Sequence, residues 1–375
     1  MNVKSSRVTL KQISDACGLS LSTVSAALNH TDGRYNAETV AYVRGVAERL
    51  GYRINHQAKI LRGGRSGLIG IIKNISLHQV TSEIAIHAGA AIRGAGYRFF
   101  SSDLFVDSGG IARSLDIMQD MRAEGILIEN LLYMGQTQNI LETIIKNKTP
   151  VMLIDGYPYE GVPHIGVDYY KGFSELTQHF IECGYRDIAL ALSENDFASV
   201  KENFNAKGAA NRRVNEAVRA VQDVLSQHRM QMALMKMPAN AESKELKDIY
   251  FSPGGQFIEE VTKSKKCPRA IIFINDLFAM AALRACVDNG VNVPGEIAIA
   301  GCDGSAMAQY TIPRLTSLEI PVSAMAREAV RLLVEMIDRK TPMTEISHRR
   351  LAPKLVVQES CGGQKYANLT PCIRI

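Results

Sequence analysis

No apolar run in the chain reaches the roughly 18 residues that span a bilayer, so no membrane helix is expected. The start, MNVKSSRVTLKQ, lacks the apolar core of a secretory signal, and a cytoplasmic protein is expected. The seven cysteines include no C-x-x-C pair. An odd, scattered set reads as buried free thiols in a reducing compartment, not as a disulfide frame or a zinc site. His78, His87 and His164 show no metal-ligand spacing. A first strand leading into G-x-G-x-x-G is missing, and so are the phosphate-cradling G-x-x-x-x-G-K-[ST] and any clear nucleophile triad. An α/β oxidoreductase or sugar-processing enzyme therefore lacks its usual marks, and no cofactor or metal is expected. No repeat with a period of roughly 20–50 residues and no low-complexity tract interrupts the chain.

What is present is a soluble globular composition, 46% hydrophobic and 22% charged, in 375 residues. At roughly 100–200 residues per domain this is enough for two or three. The net charge of +5 is unevenly placed. Residues 1–66 hold Lys4, Arg7, Lys11, Arg34, Arg44, Arg49, Arg53, Lys59, Arg62 and Arg65 against Asp15, Asp32, Glu38 and Glu48. The rest of the chain is close to neutral. A basic module on a neutral body reads either as a polyanion-binding head or as a solvated surface that happens to be basic.

Within that head, residues 8–52 read as three short helices. Leu10, Ile13 and Ala16 share one face of a helix over about 10–17, and Gly18 supplies the break. Ser20 is a cap candidate for a second helix over about 20–29, with Val24, Ala27 and Leu28 turned inward. Asn36 caps a third, whose Val40, Val43, Ala47 and Leu50 recur at helical spacing before Gly51. The second helix is unusual. Its outward face holds only small hydroxyls, a leucine and an alanine, as if something pressed close against it. A linker, YRINHQAKILRGGRSG, follows, with helical pattern for two turns between Asn55 and Arg62. So short a helix is marginal alone.

From residue 67 the pattern alternates near-continuous apolar strands (GLIGIIKN, YRFFSSD, GILIEN, PVMLIDG, HIGVD, DIALALS, QMALMKM, AIIFIND, IAIAGCD) with helical stretches, among them 206–228 and 254–264. Such strands belong to parallel sheets covered on both faces. The expected fold is thus a small all-α head plus an α/β body of two doubly wound parallel-sheet subdomains. Ligands in such sheets sit beyond the strands' carboxyl ends. Polar residues stand there: Asp103, Asn130, Asp155, Asp168, Asn275 and Asp303. The expected domains are 1–52, a hinge at 53–66, a body at 67–361 and a tail at 362–375. Within the body the expected lobes are about 67–166 plus 320–348, and 167–319 plus 349–361.

The stretch VTLKQISDACGLSLSTVSAALN resembles the helix-turn-helix of the LacI/GalR-type (lactose/galactose repressor) family. Val8-Thr9-Leu10, Ala16, Gly18, Ser20, Thr23-Val24-Ser25 and Leu28-Asn29 carry the match. GYRINHQAKIL resembles the family's hinge helix through Gly51-Tyr52, Asn55, Ala58 and Leu61, with Ile54 where the family usually has proline. FINDLFAMAAL and VPGEIAIAGCDGSAMAQYTIPRLTSLEIP resemble its effector domain, which is similar in fold to type I periplasmic sugar-binding proteins. The likeness runs from about residue 7 to 360. It implies a repressor-type regulator that binds double-stranded operator DNA as a homodimer, with a tetramer left open, and answers to a small-molecule effector.

Short side chains suit a helix whose backbone lies close to DNA, and Ser20, Thr23 and Ser25 are of a kind that donates to phosphates. By the resemblance, Leu21, Ser22 and Ala26 hold the positions that read base edges, and Thr9 and Asn29 join the DNA-binding set. Leu61, with Asn55 and Ala58 beside it, matches the leucine the family wedges into the minor groove. Arg213, Asn275 and Asp303 correspond to effector-holding residues, with Arg212 as the other reading of the arginine, and Phe251 stands where an aromatic often covers the ligand. An Asp–Arg–Asn set with a flanking ring suits a sugar-like, polyhydroxylated or heterocyclic metabolite. Each residue also has a structural alternative: Asn275 or Asp276 as a helix cap, Asp303 as an acceptor for loop amides, Arg213 as a surface charge, Leu61 as packing. The run KNISLHQVTSEI departs from the family's common Asn-Pro-Phe-Phe. A helical module that binds protein, and an exported solute-binding protein, are the remaining readings.

Overall fold

The computed structural model describes residues 8–29, 36–52, 65–74, 79–104, 110–129, 149–203, 212–238, 246–264 and 267–363. The chain divides into two compact units, Met1–Ser66 and Gly67–Ile375.

The first unit contains α1 (Leu10–Cys17), α2 (Leu21–Asn29) and α3 (Ala37–Arg49). Thr9 and Gln12 form a reciprocal capping box at the start of α1. Gly18 ends that helix in the left-handed region at φ 66°, where a side chain would be strained. The Ser20 hydroxyl accepts the Thr23 N–H at 3.1 Å and so caps α2, and Asn36 caps α3. Ile13, Val24, Ala27, Val43, Val46 and Ala47 form the core, with Val40 and Leu28 packed on it. Two expected core positions differ. Ala16 is exposed and Cys17 packs in its place, while Leu50 is exposed and Val46 fills the interior. Both sit near helix ends, where the facing stripe turns away from the partners.

The second unit runs β1 (Leu68–Asn74), α4 (Gln79–Gly94), β2 (Arg98–Leu104), α5 (Gly110–Asp120), β3 (Gly125–Glu129), β4 (Val151–Ile154), β5 (His164–Val167) and α6 (Tyr169–Glu182). It continues through β6 (Ile188–Leu192), α7 (Glu194–Asn203), α8 (Arg212–Gln227), β7 (Ala233–Lys236), α9 (Leu246–Lys263), β8 (Ala270–Phe273), α10 (Asp276–Asp288) and β9 (Ala298–Asp303). It closes with β10 (Thr316–Glu319), α11 (Val322–Arg339), β11 (Arg349–Leu351) and β12 (Lys354–Val356).

The strands form two sheets, ordered β11-β5-β4-β3-β1-β2 and β12-β10-β9-β8-β6-β7. The pairings are parallel except β10 with β12. Strands β3, β4, β6, β8 and β9 are buried along their whole length, as a sheet with helices on both faces requires. Strand order reverses between β1 and β3 in one sheet and between β6 and β8 in the other, the switch points where doubly wound folds place ligands.

The chain passes between the lobes after β5, after β10 and between β11 and β12. Helix α11 packs on β3, β4 and β5 of the first lobe, whereas α6 packs on α8 and β10 of the second. The last crossing falls later than expected: Arg349–Leu351 pairs with β5, so the first lobe keeps residues through 351 rather than ending at 348. Val167 likewise stays in the first sheet. The helix expected over 254–264 begins at Leu246 and accommodates Pro253, and the stretch expected as one helix over 206–228 holds α8 from Arg212. Of the described cysteines, all free, Cys286, Cys302 and Cys361 are buried, but Cys17, Cys183 and Cys267 are partly exposed, against the expectation that all are buried.

Candidate functional site

In the first unit, α2 presents the unusual face intact. Leu21 is 51% exposed, Ser22 is exposed, and Ser25 and Ala26 are half-buried behind them. The Ser20 hydroxyl shares hydrogen bonds of 2.8 Å with those of Ser22 and Thr23, so three hydroxyls cluster at the helix N-terminus. That end of a helix favours an anion, and hydroxyls that satisfy one another can turn to a phosphate without leaving a buried group unpaired. The Thr9 hydroxyl is already committed to the capping box with Gln12. Exposed Lys11, Arg44 and Arg49 supply positive charge on α1 and α3. Asn29 ends α2, and its side chain, like Asn55, Ala58 and Leu61 entirely, lies outside the described residues.

In the second unit, three of the expected residues come together at the carboxyl ends of strands. Asp303 ends β9, Asn275 follows β8 and Arg213 lies in the first turn of α8. Arg213 Nη1 donates to Asp303 Oδ1 at 2.8 Å and to the Ile274 carbonyl at 3.3 Å. Its Nη2 donates to the Tyr169 hydroxyl at 3.1 Å, and the guanidinium lies 5.0 Å from the Tyr169 ring centre. The two charged side chains are only 14% and 5% exposed, so Arg213 is no surface charge. Burial alone disfavours its charge, but Tyr169 and Asp303 reverse that and hold the guanidinium protonated. Burial also keeps the Tyr169 phenol neutral, and its hydroxyl lies 3.3 Å from both carboxylate oxygens of Asp155 at the end of β4. The neighbouring Arg212 turns away: it donates to the Gly156 and Val167 carbonyls at 3.0 and 2.6 Å and pairs with Glu216.

Asn275 Oδ1 accepts the Phe278 N–H at 2.8 Å, so this residue does cap α10. Asp303 Oδ2 takes the Asp276 N–H at 3.4 Å. Asp276 is buried and spends both oxygens, Oδ1 on the Ser317 hydroxyl at 2.6 Å and Oδ2 on the Ser305 N–H at 2.7 Å. It fits because residue 301 is glycine: any Cβ added there would meet Asp276 Oδ1 at clashing distance. Burial first, and the adjacent Asp303 carboxylate second, push the Asp276 carboxyl up to about 7. Phe251 lies in α9, and its side chain is outside the described residues.

Tyr169, Asp155 and Asp276 were not among the expected site residues. Asp155 was legible only as a polar strand end, and Asp276 only as a cap next to Asn275. Nothing in the sequence marks Tyr169, which reaches the cluster from the first turn of α6. His164 is a buried core histidine held neutral, its ring lowered to about 4 by burial and by Arg212. Among the described residues no group of three His, Cys, Asp or Glu side chains is arranged to hold a metal. Hollows of about 660 and 410 Å³ open elsewhere on the body, one beside Arg327 and Arg331, the other beside Tyr157 and His348. The Arg213–Asp303 pair lines neither. Its charges are answered within the cluster, and a ligand hydroxyl would enter by sharing them.

Because Asp276 has a folded pKa raised to about 7, its proton contributes stability that is complete at acid pH and is lost as pH rises through 7. Asp276→Asn keeps the acceptor for Ser317 and removes the titration. The thermal midpoint of the wild type is expected to fall more steeply between about pH 4 and 7 than that of the variant. Parallel curves would rule out the assignment.

Residues 177–361 match the family described as periplasmic binding protein-like domain. The chain is 28% identical to the transcriptional regulator MalR of Streptomyces coelicolor, with 94% of this chain and 96% of the relative covered. It is 24% identical to the transcriptional repressor PurR of Haemophilus influenzae, covering 94% and 98%. Among solved structures it is similar to the Lac repressor dimer bound to operator and an anti-inducer, with TM-score 0.76, 20% identity and coverage of 95% and 99%. It is also similar to the CelR–cellobiose complex, with TM-score 0.64, 22% identity and coverage of 94% and 100%. A three-helix head, a two-lobed body whose residues 177–361 match the periplasmic binding protein-like domain, and relatives matched end to end agree: over nearly its whole length the chain is similar to helix-turn-helix transcriptional regulators, with the fold of the Lac repressor.

Proposed function

We propose that this regulator is a homodimeric, cytoplasmic repressor that reads an operator with α2 and releases or tightens its hold when a small metabolite enters the Arg213–Asp303 cluster. The observation that carries the reading is the cluster itself: a buried Arg–Asp pair and a cap asparagine at the carboxyl ends of β8 and β9. Groups of this kind hold hydroxyls or heterocyclic edges through charged and neutral hydrogen bonds. Among the relatives, CelR has been solved with cellobiose, which favours a polyhydroxylated ligand here. Phe251 is proposed as the ring over it.

On the DNA side, Ser20, Thr23 and Ser25 would take phosphates, with Thr9 orienting the entry of α1 through its cap. Leu21, Ser22 and Ala26 would meet base edges. Leu21 and Ala26 offer only apolar contact, which suits a thymine methyl. Asn29 and the hinge residues Asn55, Ala58 and Leu61 complete the proposed interface, with Leu61 as the minor-groove wedge. Dimerisation is supported by the likeness to a repressor solved as a dimer on operator. It is supported also by exposed apolar side chains on the body, among them Ile86, Val287, Met307, Tyr310 and Ile312.

Two outcomes are expected. Affinity for a duplex selected from a randomised pool should fall steeply with salt, with a log–log slope near −0.9 per phosphate contact; a flat dependence would contradict a phosphate-tracking head. In a thermal-shift panel of sugars, sugar acids and nucleobases, a compound that raises the midpoint of the wild type should lose that effect in Asp303→Asn. An unchanged shift in the variant would place the ligand elsewhere.

A further inference from the structure

Besides the Tyr169–Asp155 contact, the cluster in the second lobe reaches the first lobe through Gln79. Gln79 opens α4 in the first lobe, and its side-chain carbonyl accepts two donors from the second: the Ser305 hydroxyl at 2.8 Å and the Ala306 N–H at 3.1 Å. The Gln79 amide nitrogen donates to Glu83 one turn along the same helix, which fixes the direction of the carbonyl. Ser305 is buried, and its hydroxyl also accepts the Met307 N–H at 3.2 Å, capping the 3₁₀ turn Ala306–Tyr310. The Ser305 N–H goes to Asp276, the Asp276 N–H to Asp303, and the other Asp303 oxygen to Arg213. One unbroken hydrogen-bonded path therefore runs from the Arg213 guanidinium to the first turn of α4. At the Gln79 end, the Ser305 hydroxyl and the Ala306 N–H would each need a new partner if the lobes parted.

We propose that Gln79 is the positioning residue that couples ligand entry to lobe closure: its carbonyl clasps the Ser305–Ala306 turn, and shifting Asp303 or Asp276 loosens or tightens that clasp. This rests on reading the Arg213–Asp303 cluster as the effector site. The same turn carries the exposed Met307 and Tyr310, so a change in the clasp also moves apolar surface that a partner subunit would cover.

The test compares the full-length wild type with Gln79→Met, which keeps the bulk of the side chain and removes its carbonyl, and with Gln79→Ala. Hydrogen exchange should rise about tenfold or more in the segment 305–308 of both variants, while segments 213–225 and 276–284 exchange as in the wild type. Affinity for the duplex that the wild type selects from a randomised pool should change by about fivefold or more. Unchanged exchange at 305–308 would overturn the clasp. So would a rise spread evenly over the body, which marks general loosening. Faster exchange with unaltered duplex affinity would overturn the coupling. If the wild type selects no duplex, the reading of the protein as an operator-binding regulator fails, and the exchange comparison still decides the clasp.

Discussion

A guanidinium buried inside a protein has to be answered by charge or it does not stay buried, and Arg213 is answered by Asp303 at 2.8 Å. That one pair organises the carboxyl-end cluster of the second lobe. It draws the first turn of α8 to the end of β9, brings the Tyr169 ring under the guanidinium, and leaves Asp276 as a second carboxylate that must share the space. A pair of this kind adds little net stability against a well-packed apolar alternative. Under the proposed reading it would provide specificity: a fixed donor and a fixed acceptor, already desolvated, for a hydroxyl-bearing ligand to divide between them.

The head works by the opposite rule. No charge is buried in the described part of the first unit, and the exposed face of α2 is made of side chains too short to hold a backbone away from what it approaches. The cap that starts the helix and the hydroxyls that would meet phosphates are the same group of residues. Local folding and the proposed recognition would therefore draw on the same hydroxyls at Ser20 and Thr23, at positions where better helix formers exist.

Much of this was legible in the sequence because it is periodic. The inward stripe of α2, the capping asparagine of α3 and the buried strands of both sheets follow from spacing alone. The arginine that meets Asp303 and the strand-end aspartate were readable through resemblance. What escaped is what depends on distant segments meeting. Tyr169 and Gln79 carry no local signal, and Asp276 shows only as a cap candidate, since each matters for a partner brought close by the sheets. Strands β11 and β12 are three residues long, too short for a pattern. The stripe positions Ala16 and Leu50 were misread because periodicity gives a direction around a helix, not the place where its partner helix ends.

The central claim is that ligand entry at the buried pair changes the grip of the head on DNA. It is tested most directly by titrating the selected duplex with full-length protein, with and without a saturating compound already known to raise the thermal midpoint. The account expects the operator Kd to move by roughly 5- to 150-fold, the range of an ordinary coupling free energy. A compound that stabilises the protein and leaves the operator Kd where it was would contradict it.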